Sequence, residues 1–182
     1  LGFTTIQGAE LFQFFNPFFV VFLTPIIIGL FGWLKAKGIE PSTPKKIAIG
    51  MGIAAAGFAV MAIGSLDVPN YSEVIARGGL SDAARVTPFL LIGTYFILTV
   101  AELFISPLGL SFVSKVAPPH LQGVMQGAWL GTTAAANLIL FVGTIFYESL
   151  PLWVAWSIFV VACLLSMSMM LFMLKWLERI TK

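Results

Sequence analysis

Five long apolar runs divide this chain, and they restrict its possible folds more than any other feature. Each run is close to the roughly 20 residues that a helix needs to cross the hydrocarbon core of a bilayer. Of the 182 residues, 59% are hydrophobic and 10% are charged, and the mean hydropathy of +0.99 lies outside the range of soluble globular domains. We therefore predict an all-α integral membrane protein with five transmembrane helices, at about residues 11–34, 47–66, 88–113, 121–146 and 152–174.

The charged residues lie mainly between these runs, and their sign indicates an orientation. Four lysines flank or occupy the predicted loop of about residues 35–46, and more basic residues follow the third run and form the C-terminal tail. The predicted external loop of about residues 67–87 contains two arginines and no lysine. Loops rich in Lys and Arg stay in the cytoplasm. We therefore predict a multi-pass protein of the cell (inner or plasma) membrane with a cytoplasmic C-terminus and an external N-terminal end.

The third run contains one carboxylate, Glu102, at a depth where an unpaired charge is costly. Even lenient insertion scales give a penalty of about 2.5–3.5 kcal/mol, so an intramembrane acid indicates a functional site. At about 100° per residue, Tyr95, Thr99 and Ser106 share a helix face with Glu102, and Pro107 follows. This stripe predicts a polar site near the middle of the membrane. The alternative is a structural Glu satisfied by a neighbouring helix, with Pro107 as a packing kink.

The first and fourth runs carry further polar candidates. Asn16 precedes Pro17, and two roles stay open for it: capping a helix that begins at Pro17, or facing a cavity from within a longer helix. In the fourth run, Trp129 and Thr133 lie on nearly one face, opposite a stripe of small residues at every fourth position from 123 to 135. The stripe predicts close packing against another helix, which would leave Trp129 facing the polar groups. Plain packing of Trp129 is the alternative.

The sequence gives little support for other kinds of chemistry. Cys163 and His120 are the single cysteine and the single histidine, so there is no pattern of metal ligands and no disulfide framework. We predict no second membrane-embedded Asp, Glu, His or Lys near Glu102 to share acid–base or nucleophilic work. The chain is therefore predicted not to be an enzyme, to bind no metal or organic cofactor, and to have no nucleic-acid partner. A membrane scaffold without a substrate is a further alternative.

Several segments resemble the proton-coupled oligopeptide transporter family, a branch of the major facilitator superfamily. They are the pattern ELFISPLGLS that begins at Glu102, the Asn16-Pro17 pair, the loop KGIEPSTPK at residues 37–45, and the run from QGAW to AAAN that ends at Asn137. The resemblance covers nearly the whole chain, and the pattern at Glu102 is its most specific part. It implies a C-terminal helix bundle, the eighth to twelfth helices of a twelve-helix core. The N-terminal half is then a missing partner, and we expect the chain to be a fragment.

The resemblance also implies a function and a site. The substrate would be a di- or tripeptide, carried in symport with protons as the coupling ion. Glu102 would bind the peptide's amino terminus, and Asn16 would hydrogen-bond to the peptide. Ser106 would line the pocket beside Glu102, and Trp129 would form a side-chain pocket wall. Thr133 is the weakest match of the five.

Two features limit what the resemblance implies. The family's Glu-x-x-Glu-Arg proton-coupling motif belongs to the N-terminal half and is absent from this chain. The chain is therefore expected to hold only half of the site, since alternating access requires two halves that move around it. The alternative function is a major facilitator transporter of another small solute, such as nitrate, a nucleoside or a drug.

Overall fold

Five long helices account for nearly all of residues 14–68, 73 and 88–180, which the computed structural model describes. At positions 140–142, 144–149 and 180 it describes the backbone alone. The described residues contain no strand, so the predicted all-α fold is confirmed. The helices are α1 (Phe15–Ala36), α2 (Thr43–Gly64), α3 (Pro88–Val116), α4 (Gln122–Ser149) and α5 (Leu152–Ile180), with a 3₁₀ turn at Pro119–Leu121 before α4.

Four of these helices, α1, α2, α3 and α5, are long and apolar enough to cross a membrane. Helix α4 has 28 residues, which exceeds the length that a span requires, and its membrane crossing stays a prediction. The helices extend beyond the apolar runs, for example from Thr43 in α2 and to Ile180 in α5. The reason is that an apolar run marks the hydrocarbon span, whereas a helix continues into the interface. The predicted loop at about 67–87 and the predicted start at residue 11 lie mostly outside the described residues.

Helix α2 lies at the centre of the packing and contacts both α3 and α5. Its small residues Gly50, Ala54, Gly57 and Gly64 recur at spacings of three, four and seven, a pattern that predicts close approach of another helix, and α3 is the helix that approaches there. A Cβ atom added at Gly50 would lie 2.8 Å from atoms of Phe104 and Ile105 in α3. One added at Gly57 would lie 3.0 Å from Leu98. The neighbours of Gly50 include the Cβ of Phe104, so the two helix backbones are close there, whereas the atoms nearest to Gly57 belong to the side chains of Leu98 and Ile97.

Helix α5 packs along one side against α2 and is uncovered on the other side. Phe58 of α2 stacks with Trp156 and Phe159 of α5, with ring centroids 6.1 and 5.4 Å apart. On the opposite side, Phe172 is 91% exposed. The run is rich in Met and Leu and has no polar stripe, which predicts a peripheral, lipid-facing helix. This prediction is correct for the uncovered side alone, because Trp156 and Phe159 pack on α2. Ser157 donates a hydrogen bond to the carbonyl of Trp153, 2.7 Å away on its own helix, as expected.

The α1–α2 turn is closed by Gly38, which has a φ of 69°. Its N–H donates to the carbonyl of Lys35 at 3.0 Å, and the N–H of Ile39 donates to the carbonyl of Leu34 at 3.1 Å. These two bonds form a Schellman motif, which satisfies the last carbonyls of a helix and requires a left-handed residue that is usually glycine. The turn therefore has a defined backbone geometry.

A buried lysine follows this turn at the start of α2. Lys46 is 6% exposed, pairs with Glu40, and has its Nζ atom 4.1 Å from the ring centroid of Phe31. The hydrogen bond from Lys46 lowers the pKa of the Glu40 carboxyl below its usual value of 4.5. The neighbouring Lys45 pairs with Glu178 of α5, with 3.1 Å between the nitrogen and oxygen atoms. The α1–α2 turn and the C-terminal part of α5 therefore lie at the same end of the bundle.

Candidate functional site

The polar stripe of α3 is partly covered by other helices and partly open. Thr99 is 1% exposed and Tyr95 is half-buried. One turn further along the helix, Glu102 and Ser106 are exposed, which means that the rest of the described chain does not cover them. The stripe therefore has a buried hydroxyl at one level and an accessible carboxylate and hydroxyl at the next.

Asn16 of α1 meets this stripe at its buried level. The hydroxyl of Thr99 lies 2.7 Å from the carbonyl oxygen of Tyr95 and 3.2 Å from Asn16 Oδ1, so its single proton is shared between the two oxygens and lies closer to that of Tyr95. Because α1 begins at Phe15, Asn16 lies inside the helix and does not cap one that begins at Pro17. Of the two roles that the sequence left open, the capping role is wrong. The contact with Thr99 places Asn16 beside the helix that carries Glu102.

Glu102 has no hydrogen-bond or ion-pair partner among the described residues. The ion pairs of Lys45 with Glu178 and of Lys46 with Glu40 lie at the α1–α2 turn, away from Glu102. The alternative of a structural Glu bonded to a neighbouring helix therefore finds no support in the described contacts. A carboxylate in apolar surroundings binds most favourably to a cationic donor such as an ammonium or guanidinium group.

Trp129 of α4 packs directly on α3 next to the open part of the stripe. A Cβ atom added at Gly109 would lie 2.3 Å from Cζ2 of the Trp129 ring, so the indole occupies the space above this buried glycine. Gly109 is one turn beyond Ser106 on α3. Trp129 is half-buried, so part of its ring stays uncovered. The ring therefore packs on α3 and also borders the face that carries Glu102 and Ser106.

The small-residue stripe of α4 does not pack as predicted. Cβ atoms added at Gly123, Gly127 and Gly131 would meet no atom within 4 Å. The prediction that this face contacts another helix is therefore wrong within the described part of the chain, and the Trp129 face makes the contact instead. Small residues allow a close approach, but they do not determine whether a partner helix is present. Thr133, one turn beyond Trp129, is exposed.

Sequence reasoning missed two features that hold α4 in place. The first is Gly109, which lies under the Trp129 ring. Its position two residues after Pro107 is the sequence feature that could have indicated it. The second is Gln126, whose Nε2 donates to Ser114 Oγ at 2.8 Å. No sequence signal indicated this bond, because a Gln near a predicted helix start has many possible partners. Together these contacts join the first half of α4 to the second half of α3.

Comparisons with known proteins give consistent results. The model of PTR2, described as the POT family, matches residues 2–151. Peptide transporter YePEPT from Yersinia enterocolitica is 34% identical over 137 residues, covering 73% of this chain and 25% of that protein. Dipeptide and tripeptide permease B from Xenorhabdus bovienii is 32% identical over 185 residues, covering 94% of this chain and 35% of that protein.

Solved structures match the fold. A crystal structure of a mutant of peptide transporter POT in complex with alafosfalin superposes with a TM-score of 0.78 at 26% identity, covering 98% of this chain and 35% of that one. Peptide transporter POT in complex with sulfate gives a TM-score of 0.72 at 27% identity, covering 91% of this chain and 31% of that one. The chain thus spans about a quarter to a third of the length of the proteins that it matches.

Proposed function

This chain belongs to the POT family, and we propose that it forms the C-terminal half of a proton-coupled symporter for di- and tripeptides. The observation that carries the proposal is Glu102, an exposed carboxylate on an apolar helix with no partner among the described residues. In surroundings of low dielectric constant, such a group binds an ammonium strongly. The names of the relatives, peptide transporter and dipeptide and tripeptide permease, support the choice of peptides as the source of that ammonium.

The remaining site residues fit an extended short peptide. We assign Asn16 to the peptide backbone, Ser106 to the pocket beside Glu102, and Trp129 and Thr133 to a wall for the peptide side chains. From Thr99, which Asn16 contacts, to Gly109, on which Trp129 packs, α3 rises by about 15 Å. A tripeptide extends over about 10 Å at most. The face is therefore long enough to contact both the amino terminus and a side chain of one substrate.

Half of the site must come from another part of the full-length transporter. In major facilitator proteins the substrate lies between two halves that move against each other, and this chain spans 25% to 35% of two of its relatives. We assign the coupling ion as a proton and assign no metal or organic cofactor. We also place the C-terminus in the cytoplasm, because the pair between Lys45 and Glu178 puts two basic segments at one end of the bundle.

Uptake of a labelled dipeptide tests the proposal. The full-length parent protein is reconstituted in proteoliposomes, with and without an inward proton gradient, as wild type and as Glu102→Gln. We expect gradient-driven uptake in the wild type and its loss in Glu102→Gln. Removing a charge-assisted hydrogen bond costs about 1.5–3 kcal/mol, so affinity for peptides with a free amine should fall by about tenfold or more. Affinity for N-acetylated peptides should change little.

The matched control is Asp67→Asn, which makes the same carboxylate-to-amide change at an exposed position just beyond α2. This variant should transport like the wild type. An equal loss of affinity for free and acetylated peptides in Glu102→Gln would contradict the assignment of Glu102 to the amine. Absence of dipeptide uptake by folded wild-type protein would contradict the peptide-symporter function and favour another small solute.

A further inference from the structure

We propose that Thr99 is a positioning residue of the substrate site, which acts by fixing the side-chain amide of Asn16. The inference rests on the proposed function and deepens it, since it makes Asn16 a hydrogen-bond donor to the peptide. Thr99 lies on the same face as Glu102, one turn earlier, but it is 1% exposed and is itself out of reach of a ligand. Any effect of its hydroxyl on the substrate must therefore pass through a neighbouring side chain.

The hydroxyl of Thr99 is held in a fixed place on α3. Its oxygen lies 2.7 Å from the carbonyl oxygen of Tyr95, four residues earlier on the same helix. This bond selects one rotamer of a β-branched side chain that has few rotamers available in a helix. From that position the hydroxyl also reaches Asn16 Oδ1 on α1, at 3.2 Å. The contact therefore has a rigid donor and an acceptor that can rotate.

An Asn side chain has one acceptor oxygen and one donor nitrogen, and rotation by 180° about the last bond exchanges them. With Oδ1 of Asn16 bonded to Thr99, the donor Nδ2 is on the other side of the amide. No described residue accepts a hydrogen bond from Nδ2. Because Asn16 is half-buried at the edge of the open stripe, this nitrogen is available to an acceptor on a ligand.

This orientation complements the polarity of a peptide. Glu102 offers an acceptor to the amino terminus, and Asn16 Nδ2 offers a donor to a backbone carbonyl oxygen. If the amide of Asn16 rotated, two oxygens would face each other and repel. In the structure the hydroxyl of Thr99 holds the amide in place through Oδ1. The same hydroxyl could accept a hydrogen bond from Nδ2, so it is the carbonyl oxygen of the peptide, which needs a donor, that completes the choice of this orientation. Thr99 thus places the Asn16 amide where its donor can reach a peptide carbonyl beside Glu102.

The test measures KM and Vmax for a labelled dipeptide in proteoliposomes of the full-length parent protein. Thr99→Val removes the hydroxyl with little change in shape, and Thr99→Ser keeps it. We expect Thr99→Val to raise KM about three- to tenfold with little change in Vmax, the range that follows from losing one neutral hydrogen bond. Thr99→Ser should restore the wild-type KM. In an Asn16→Ala background, Thr99→Val should cause no further change, since the two residues act as one unit.

Thr94→Val is the matched control. Thr94 is 5% exposed on the same helix and bonds to the carbonyl oxygen of Leu90 at 2.8 Å, but no described residue of another helix shares its hydroxyl. Its replacement removes a buried threonine hydroxyl without touching Asn16, so KM should stay at the wild-type value.

A second probe is a dipeptide with a thioamide in place of its backbone amide. Because sulfur is a weak acceptor, Thr99→Val should change the KM of this analogue much less.

The outcomes separate this inference from the function on which it rests. An equal rise in KM in the wild-type and Asn16→Ala backgrounds, or in Thr94→Val and Thr99→Val, would show a structural role and overturn the positioning role. An unchanged KM in Thr99→Val, with normal wild-type uptake, would overturn it alone. Absence of wild-type uptake would overturn the peptide function and this inference with it. Melting temperatures in detergent identify misfolded variants, and Thr99→Ala then replaces Thr99→Val.

Discussion

At the scale of single residues, the contact between Gly109 and Trp129 shows how one hydrogen atom in place of a methyl group positions an aromatic ring. The indole lies over the α-carbon of Gly109, and any side chain there would overlap it. Among the described residues the indole N–H has no hydrogen-bond partner, so the shape of α3 determines where the ring lies. Its position relative to Glu102 depends on the backbone of the same helix.

We expect Gly109→Ala to displace the Trp129 ring and to lower the stability of the full-length protein by about 1–3 kcal/mol, a typical cost of overpacking. The added Cβ would lie 2.3 Å from the ring, so a small shift of the backbone cannot relieve the overlap. Thermal unfolding in detergent measures the loss. If Trp129 walls a side-chain pocket, the order of preference among dipeptides should change as well.

Gly93→Ala is the control for this substitution on the same helix. A Cβ at Gly93 meets nothing within 4 Å, so the change should be neutral or slightly stabilising. In a Trp129→Ala background the added methyl group has no ring to overlap. The double variant Gly109→Ala/Trp129→Ala should therefore be nearly as stable as Trp129→Ala alone. A melting temperature of Gly109→Ala equal to that of Gly93→Ala would show that the ring does not depend on Gly109.

At the scale of helices, α2 and α3 pack closely along the small residues of α2, and their backbones approach each other at Gly50. At Gly50, the nearest atoms to an added Cβ are the Cβ of Phe104 and Cγ1 of Ile105, both at 2.8 Å, and the carbonyl oxygen of Ala101 at 3.2 Å. The Cβ of Phe104 and the carbonyl oxygen of Ala101 are fixed to the backbone of α3 and cannot rotate away. The two helices would have to separate to admit even one methyl group.

We therefore expect Gly50→Ala to destabilise the protein by about 1–3 kcal/mol, because it separates α2 from α3. Gly32→Ala in α1 is the matched control, since a Cβ at that position meets no atom within 4 Å. Thermal melts of both variants in the same detergent measure the difference. Equal melting temperatures would contradict the close contact between α2 and α3.

The turn between α1 and α2 should respond to acid. The hydrogen bond from Lys46 lowers the pKa of Glu40 in the folded protein, so the pair stabilises the fold above the unfolded value of 4.5 and loses this effect as pH falls through the lowered folded value. We expect Glu40→Gln to melt at a lower temperature than the wild type at pH 7. This gap should close as pH falls below 4.5. A gap that stays constant from pH 7 to pH 3.5 would contradict the assignment.

The sequence was sufficient for some of these helix contacts and not for others. The spacing of small residues in α2 predicted close approach of another helix, and the structure shows that α3 makes this contact at Gly50 and Gly57. The same kind of spacing in α4 predicted a contact that is absent from the described residues. Both spacings indicate a face on which another helix could pack. Neither indicates which helix packs there, because that depends on the tertiary structure. The pairing of Asn16 with Thr99 joins residues 83 positions apart, which helical periodicity within one segment cannot indicate.

At the scale of the whole molecule, the described helices form an asymmetric structure. Helix α2 packs extensively against α3 on one side and α5 on another, whereas α4 makes fewer contacts, among them those of Gln126 and Trp129 with α3. The face with Glu102, Ser106 and Thr133 is uncovered. Composition was sufficient to predict the membrane fold, because hydrophobic length alone restricts a chain to spanning helices. It could not predict which face would be uncovered, because this depends on how the helices pair.

The contacts between α2 and α5 can form only late in biosynthesis, because the two helices are far apart in the sequence. Ser42 and Glu178 are hydrogen-bonded although 136 positions separate them, and ribosomes add about 5–20 residues per second. On this scale, α2 enters the membrane on the order of ten seconds before α5 is available to cover its aromatic side. During that interval Phe58 faces lipid or an insertion chaperone. Substitutions that weaken α5 would prolong this exposure and should direct the nascent protein toward membrane quality control, even when every residue of the substrate site is intact.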